Sequence, residues 1–206
     1  MKNLKETYLQ NPCGTLSIPY WKNKTIQLSN SIKIFHKNKF DESKYKENEF
    51  QRFFRIKHNL LKIQKTQKCQ TILTKDIEEL INMINISYQN KQISINIDDV
   101  NEWMKHPVFN KSLWVCIKEN SKMIASGIAE YDFEIKEGIL EWIQVLPEFQ
   151  HKGYGKRIVY ELLYRLKELG SAFVTVSGSL DNKSNPERLY RSCGFSGDDI
   201  WYIISN

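Results

Sequence analysis

The sequence has no run that approaches the roughly 20 consecutive apolar residues that a membrane-spanning helix requires. Its first residues, MKNLKETYLQNP, also lack the apolar stretch of a signal peptide. We therefore expect a cytoplasmic protein without a membrane partner.

Cysteine is scarce, and the spacing of its positions is not that of metal ligands. The four cysteines are Cys13, Cys69, Cys116 and Cys193. The spacing does not indicate a disulfide framework either, so we expect reduced thiols and no metal site.

Blocks of basic residues, internal repeats and low-complexity tracts are all missing. The net charge is +6, but the lysines are spread along the chain. A solvated surface or an anionic ligand accounts for this charge, so a nucleic-acid partner is not expected. Hydrophobic residues at 41% and aromatic residues at 12% are typical of a globular protein with a packed core.

Residues 1–66 differ from the rest, because aromatic and basic residues interleave there without a long helical period. We interpret them as an N-terminal extension whose aromatic side chains pack, although a nucleic-acid stacking surface has a similar composition. The alternation at Ile32 and Ile34 predicts short strands, and residues 50–61 fit either a strand or a helix.

Residues 67–206 show a regular succession of elements. A strand at 70–73 precedes a helix with Ile77, Leu80 and Ile84 on one face, and Asp98 and Asp99 open a second short helix. Strands are predicted at 113–117, at 123–133 and up to residue 146, and the turn at 119–122 indicates an antiparallel hairpin.

The clearest helix runs from about residue 153 to 169, where apolar residues recur every three and four positions. A buried strand at 172–176, a helix at 186–193 and a strand at 200–204 follow. Together these elements predict an α/β (α+β) fold, with a mixed, mostly antiparallel sheet and helices on both faces.

A loop with two glycines joins a strand to this long helix. Gly153 and Gly155 allow a ligand to approach the backbone closely, and the helix start offers N–H donors and a positive dipole end. Such a loop suits a phosphate. It does not match a dinucleotide fingerprint, because Ile158 replaces the third small residue, nor a Walker loop, because Arg157 follows Gly-Lys.

Residues 150–155 fit the pattern Gln or Arg, two residues, Gly, one residue, Gly or Ala. Val145 and Pro147 lie upstream, and the stretch LYRSCGF at 189–195 lies downstream. In this order and spacing, the sequence resembles the GNAT (GCN5-related) N-acetyltransferase superfamily over roughly residues 69–206. The extension lies outside the resemblance.

The resemblance implies acetyl-CoA as acyl donor, without a metal, bound where the family's fourth and fifth strands splay apart. Val145, Leu146 and Pro147 would line the pantetheine and the acetyl group. The pyrophosphate would be held by Gln150, His151, Lys152, Gly153, Tyr154, Gly155 and Lys156. Asn182 and Asn185 compete for a further cofactor contact, with Asn185 favoured slightly.

The resemblance assigns the departing thiolate to Tyr190, as general acid or hydrogen-bond donor. A phenol near pKa 10 is a weaker acid than a thiol near 8.5, so complete proton transfer is uphill by about 2 kcal/mol. Hydrogen bonding to sulfur is therefore the larger role. Backbone N–H groups near Val145 are the expected oxyanion donors.

The acceptor amine, with a pKa near 10.4, is unprotonated in only about one molecule in a thousand at neutral pH, so a base or water chain is needed. Glu141 is the predicted base, because it shares its strand parity with Ile143 and Val145. Alternative carboxylates are Glu130, Asp132 and Glu134. His151 is expected to face phosphate instead, and Cys193 to be a packing residue.

The predicted function is acetyl transfer from acetyl-CoA to a primary amine, by direct attack in a ternary complex. A non-catalytic coenzyme A-binding module, and an enzyme acting on a ribosomal or nucleic-acid-associated protein, are the alternatives. The sequence does not identify the acceptor. It also leaves open whether the protein is a monomer or a homodimer.

Overall fold

A computed structural model of the chain describes residues 3–27, 29, 31–46, 49–65, 69–88 and 93–205. The chain folds as two compact units. We name them the terminal unit, Met1–Asn59 with Thr175–Asn206, and the central unit, Leu60–Val174. The boundary predicted between residues 66 and 67 lies outside the described residues.

The regular elements follow one another along the chain as helices, then alternating strands and helices. The helices are α1 (Leu4–Gln10), α2 (Pro12–Thr15), α3 (Tyr20–Thr25), α4 (Ile77–Tyr88), α5 (Ile97–Trp103), α6 (Tyr154–Glu168) and α7 (Pro186–Ser192). The strands are β1 (Ile32–His36), β2 (Gln51–His58), β3 (Gln70–Thr71), β4 (Trp114–Glu119), β5 (Lys122–Asp132), β6 (Glu137–Val145), β7 (Phe173–Ser179) and β8 (Ser196–Ser205).

The terminal unit is built around the last strand. β8 pairs antiparallel with β1 on one side and with β2 on the other, so residues of the predicted extension flank the end of the chain. β2 is therefore a strand, which decides the ambiguity at residues 50–61. The short helices α1 to α3 were not predicted, since each is too brief to show a helical period.

The strands of the central unit have the order β6-β5-β4-β3, and each neighbouring pair among these four is antiparallel. α6 covers one face: a Cβ built on Gly127 would lie 2.4 Å from Ile158 Cγ2. α4 covers the other face, where Ser126 Oγ donates to Met83 Sδ at 3.2 Å. The predicted mixed, mostly antiparallel α/β fold is confirmed, whereas the splay of the fourth and fifth strands stays a prediction.

α6 is the helix that positions the predicted phosphate loop. Its buried stripe consists of Ile158, Val159, Leu162, Leu163 and Leu166. Farther along, Arg165 pairs with buried Glu161 at 2.7 Å and donates to the carbonyl of Cys69, just before β3, at 2.8 Å. The helix is therefore anchored by packing and by polar contacts. Within the described part of the chain, no helix is both long and apolar enough to span a membrane.

Candidate functional site

The loop between β6 and α6 has a backbone shaped for close approach. A short 3-10 turn covers Pro147–Phe149, and Gln150 Nε2 then donates to the carbonyl of Val145 at 3.2 Å. His151 and Gly153 adopt positive φ angles of 60° and 86°. Open space surrounds the position that a Cβ of Gly153 would occupy, since no atom of the described residues lies within 4 Å. The loop thus offers exposed backbone at its glycine.

The start of α6 leaves its amide donors available. No side-chain hydrogen bond from the described residues caps this helix at Gly153. The first N–H groups of a helix lack partners inside the helix, and its dipole places about half a positive charge at that end. An uncapped start of a 15-residue helix beside an open glycine fits an anionic group such as a diphosphate.

The side chains of the loop add positive charge around this helix start. Lys152 and Lys156 are both exposed, and their ammonium groups lie over the rings of Phe149 at 5.0 Å and Tyr160 at 5.7 Å. His151 is exposed as well. These cations are therefore accessible to an anionic ligand.

The three residues before the loop differ in what they present. Val145 is half-buried and Pro147 is exposed, whereas the side chain of Leu146 is only 5% exposed and belongs to the core cluster of the α4 face. The amide of Leu146 donates to the carbonyl of Ile124 at 3.0 Å. That N–H is therefore engaged within the sheet, and it is a poor candidate for the oxyanion donor.

A β-bulge in β6 interrupts the strand alternation from which the role of Glu141 was predicted. Ile128 pairs with Trp142 and Ala129 with Leu140, so Glu141 is the extra residue of a bulge in β6. Gly138 and Ile143 both lie toward α6 although their numbers differ in parity. Strand alternation therefore cannot assign the face of Glu141, and its role as base stays a prediction.

The alternative carboxylates lie on or after β5. Glu130 is 9% exposed, and its carboxylate lies 3.7 Å from His106 Nδ1. Asp132 is 6% exposed and accepts a hydrogen bond from the amide of Glu134 at 2.9 Å. Burial beside a histidine is a feature of Glu130 that its sequence position did not reveal.

The remaining predicted residues belong to the terminal unit. The ring of Tyr190 is 6% exposed and lies 5.8 Å from the ring of Phe195. Asn185 caps α7 through its side-chain oxygen, which accepts from the amide of Arg188 at 3.3 Å. The side-chain oxygen of Asn182 accepts from Ser184, so both asparagines shape the turn before α7. Cys193 is buried, as expected of a packing residue.

The sequence profile described as acetyltransferase (GNAT) domain matches residues 110–197. This span includes β6, the loop, α6 and Tyr190. Residues 110–197 are therefore similar to an acetyltransferase domain of the GNAT family. The match begins later than the resemblance over residues 69–206 and ends earlier. A search of curated proteins by sequence finds no significant match.

Several solved structures have a fold similar to that of this chain. A GCN5-related N-acetyltransferase from Sphaerobacter thermophilus has a TM-score of 0.64 at 11% identity, covering 74% of this chain and 50% of its own. A putative GNAT-family acetyltransferase from Novosphingobium aromaticivorans has a TM-score of 0.60 at 8% identity, covering 87% and 68%. The chain thus spans half the length of the first of these relatives.

A third structure is similar over most of its own length. The ribosomal-protein-S18-alanine N-acetyltransferase from Escherichia coli has a TM-score of 0.54 at 17% identity, covering 67% of this chain and 92% of its own. At such low identities these likenesses show the fold alone.

Two residues that touch the loop between β6 and α6 were not predicted from the sequence. The hydroxyl of Tyr154 makes a short hydrogen bond to the carboxylate of Glu119, and Lys122 Nζ lies 3.3 Å from Glu148 Oε1. Glu119 and Lys122 were noted only as part of a polar turn. Their contact with the loop depends on tertiary structure, so sequence periodicity gives no signal for it.

Proposed function

We propose that this protein transfers an acetyl group from acetyl-CoA to a primary amine by direct attack in a ternary complex. The observation that carries the proposal is the uncapped start of α6 beside the open glycine at 153. A diphosphate needs several donors and a positive potential at one place, and this loop supplies both. The GNAT domain match supports the acyl-transfer chemistry.

In the proposed reaction, acetyl-CoA supplies an acetyl thioester, and the protein supplies binding and proton management. Backbone amides of residues 153–156 bind the diphosphate, while Lys152 and Lys156 add charge from exposed positions. Val145 lies beside the pantetheine, and Leu146 and Pro147 follow it.

One proton transfer and one hydrogen bond complete the proposed reaction. A carboxylate or a water held by one takes the proton from the acceptor amine, since the ammonium form has no lone pair to attack with. Glu141 and Glu130 are the candidates. Tyr190 donates a hydrogen bond to the departing sulfur, in the role that the family resemblance gives it.

The first experiment combines calorimetry with a thiol-release assay. We expect acetyl-CoA to bind with measurable heat, and free thiol to appear when a panel of small amines, peptides and basic proteins is offered. Binding without thiol release from any acceptor would instead indicate a non-catalytic coenzyme A-binding module. Absence of binding at saturating acetyl-CoA would reject the proposal.

A matched pair of glycine variants tests the loop itself. We expect Gly153→Ala to weaken acetyl-CoA binding at least tenfold, because the new methyl group meets no atom of the described residues and would lie where the proposed diphosphate approaches the backbone. Gly170→Ala is the control: its φ of 83° and its open surroundings match those of Gly153, but it lies after the far end of α6.

Both substitutions place alanine in a left-handed conformation, at a cost of about 1 kcal/mol to stability. We therefore expect similar losses in melting temperature for the two variants, but a loss of acetyl-CoA affinity only for Gly153→Ala. Equal affinities in the two variants would count against a diphosphate at this loop.

A further inference from the structure

The tip of the β4–β5 hairpin, residues 119–122, contacts both ends of the phosphate loop. On one side of the tip, Glu119 accepts the hydrogen bond from Tyr154, the first residue of α6. On the other side, Lys122 pairs with Glu148 at 3.3 Å, in the turn that opens the loop. In sequence, residues 149–153 lie between these two contacts, and they include both positive-φ positions of the loop.

Beside the contact of Glu119 with Tyr154, the start of α6 borders a cavity of about 210 Å³. Glu119, Tyr154 and Arg157 all line it. Atoms that face a cavity lose the dispersion contacts that close packing would give them. The orientation of the first turn of α6 therefore depends more on the polar contact from Tyr154 to Glu119 than a fully packed helix start would.

The ring of Tyr154 extends this arrangement toward the loop. It lies 6.3 Å from the ring of Phe149 in an edge-on geometry, and the ammonium group of Lys152 lies over the ring of Phe149. The hydrogen bond to Glu119 raises the pKa of Tyr154, so the phenol keeps its proton and remains a donor at neutral pH. One side chain thus links the hairpin, the loop and the helix start.

We infer that the hairpin tip is a positioning element for the phosphate loop, and that Glu119 acts on cofactor affinity through Tyr154. This inference rests on the proposed function. Exposed polar pairs contribute little to global stability, so a contact of this kind alters the geometry of the loop more than the folding of the protein. Holding the loop in its binding conformation raises affinity by reducing the ordering cost on association.

The test compares two tyrosine-to-phenylalanine variants on the same helix. Tyr154→Phe removes the hydroxyl but keeps the ring. Tyr164→Phe is the matched control, because it removes the same hydroxyl group from the same helix nearly three turns away. Glu119→Ala and the double variant with Tyr154→Phe complete a mutant cycle.

We expect Tyr154→Phe and Glu119→Ala each to weaken acetyl-CoA binding about three- to tenfold in calorimetry. The double variant should be no weaker than the worse single variant, because both changes remove one contact. The melting temperature should stay at the wild-type value. Tyr164→Phe should leave affinity unchanged. Additive losses in the double variant, or unchanged affinities, would overturn the inference.

A second readout does not involve the cofactor. In hydrogen–deuterium exchange of the protein alone, Tyr154→Phe should speed exchange across residues 147–157, and Tyr164→Phe should not. Unchanged exchange in that segment overturns the positioning role, whatever the protein binds. A wild-type protein that fails to bind acetyl-CoA overturns the proposed function, and the exchange experiment still decides whether the hairpin orders the loop.

Discussion

At the scale of single residues, Tyr190 gives the sharpest test of chemistry. Its ring packs against Phe54 and Phe195 at centroid distances of 6.2 and 5.8 Å, and phenylalanine would keep those contacts. We expect Tyr190→Phe to lower kcat about a hundredfold, at the lower end of general acid contributions, with little change in acetyl-CoA affinity.

Steady-state thiol release and calorimetry of the same preparation measure these two quantities for Tyr190→Phe. A melting temperature close to wild type would confirm that packing survives. An equal loss of turnover and affinity, or no loss in either, would assign Tyr190 to packing instead of chemistry.

Residues of the candidate site differ in how far the sequence predicts them. Gly153 and the loop around it are predictable because a turn, a helix start and open backbone are local properties. The position of Glu141 is not, because the bulge arises from how β6 pairs with β5. The register of the bulge depends on both paired strands, so the alternation of residues within β6 alone does not predict it.

At the scale of elements, the start of α4 is fixed by a polar cluster. Asp76 accepts hydrogen bonds from the amide of Leu73 and from Lys118, each at 2.9 Å, and Lys118 also pairs with Glu79 at 3.0 Å. We expect Asp76→Asn to lower the free energy of unfolding by about 1.5 to 3 kcal/mol at pH 7, as for other hydrogen bonds to charged groups.

The effect of Asp76→Asn should depend on pH. The hydrogen bond from Lys118 is the main cause that lowers the pKa of Asp76 below 3.8, so its stabilisation is complete above that pH and disappears as the pH falls through the lowered value. The hydrogen bond to Asp76 is the main cause that raises the pKa of Lys118 above 10.5, so the contribution of Lys118 is lost only in stronger alkali.

Urea unfolding at several pH values measures this dependence. Asp181→Asn is a suitable control, because Asp181 pairs with Arg52 at a more exposed site and should contribute less than about 1 kcal/mol. A difference between wild type and Asp76→Asn that does not shrink as the pH falls below 3.8 would contradict the assignment of this stability to the ionised carboxylate.

Elements with a strong period were predicted closely, whereas the short helices α1 to α3 were not. α6, β5 and β6 agree with the sequence within a few residues, because each buries a regular face. α1 and α2 begin at caps supplied by Asn3 and Asn11, and neither is long enough for a period to appear. A polar cap alone is too common a signal to identify a helix.

At the scale of the whole molecule, the terminal unit depends on segments from both ends of the chain. β8 has β1 and β2 as its two neighbours, so a chain of residues 60–206 would leave both edges of β8 unpaired. We expect this truncated protein to aggregate or to lose cooperative unfolding, as followed by circular dichroism and light scattering. A soluble, cooperatively unfolding 60–206 protein would show that β8 does not need these partners.

The placement of β8 also matters while the protein is being made. Residues 32–58 leave the ribosome well before the strand that pairs with them, which begins only at Ser196. At usual rates of translation, the nascent strands β1 and β2 wait roughly 7 to 30 s for their partner. Until β8 is made, the aromatic strands β1 and β2 expose unpaired edges to which chaperones can bind. The yield of folded protein in cells should therefore depend on the supply of chaperones and on the speed of synthesis.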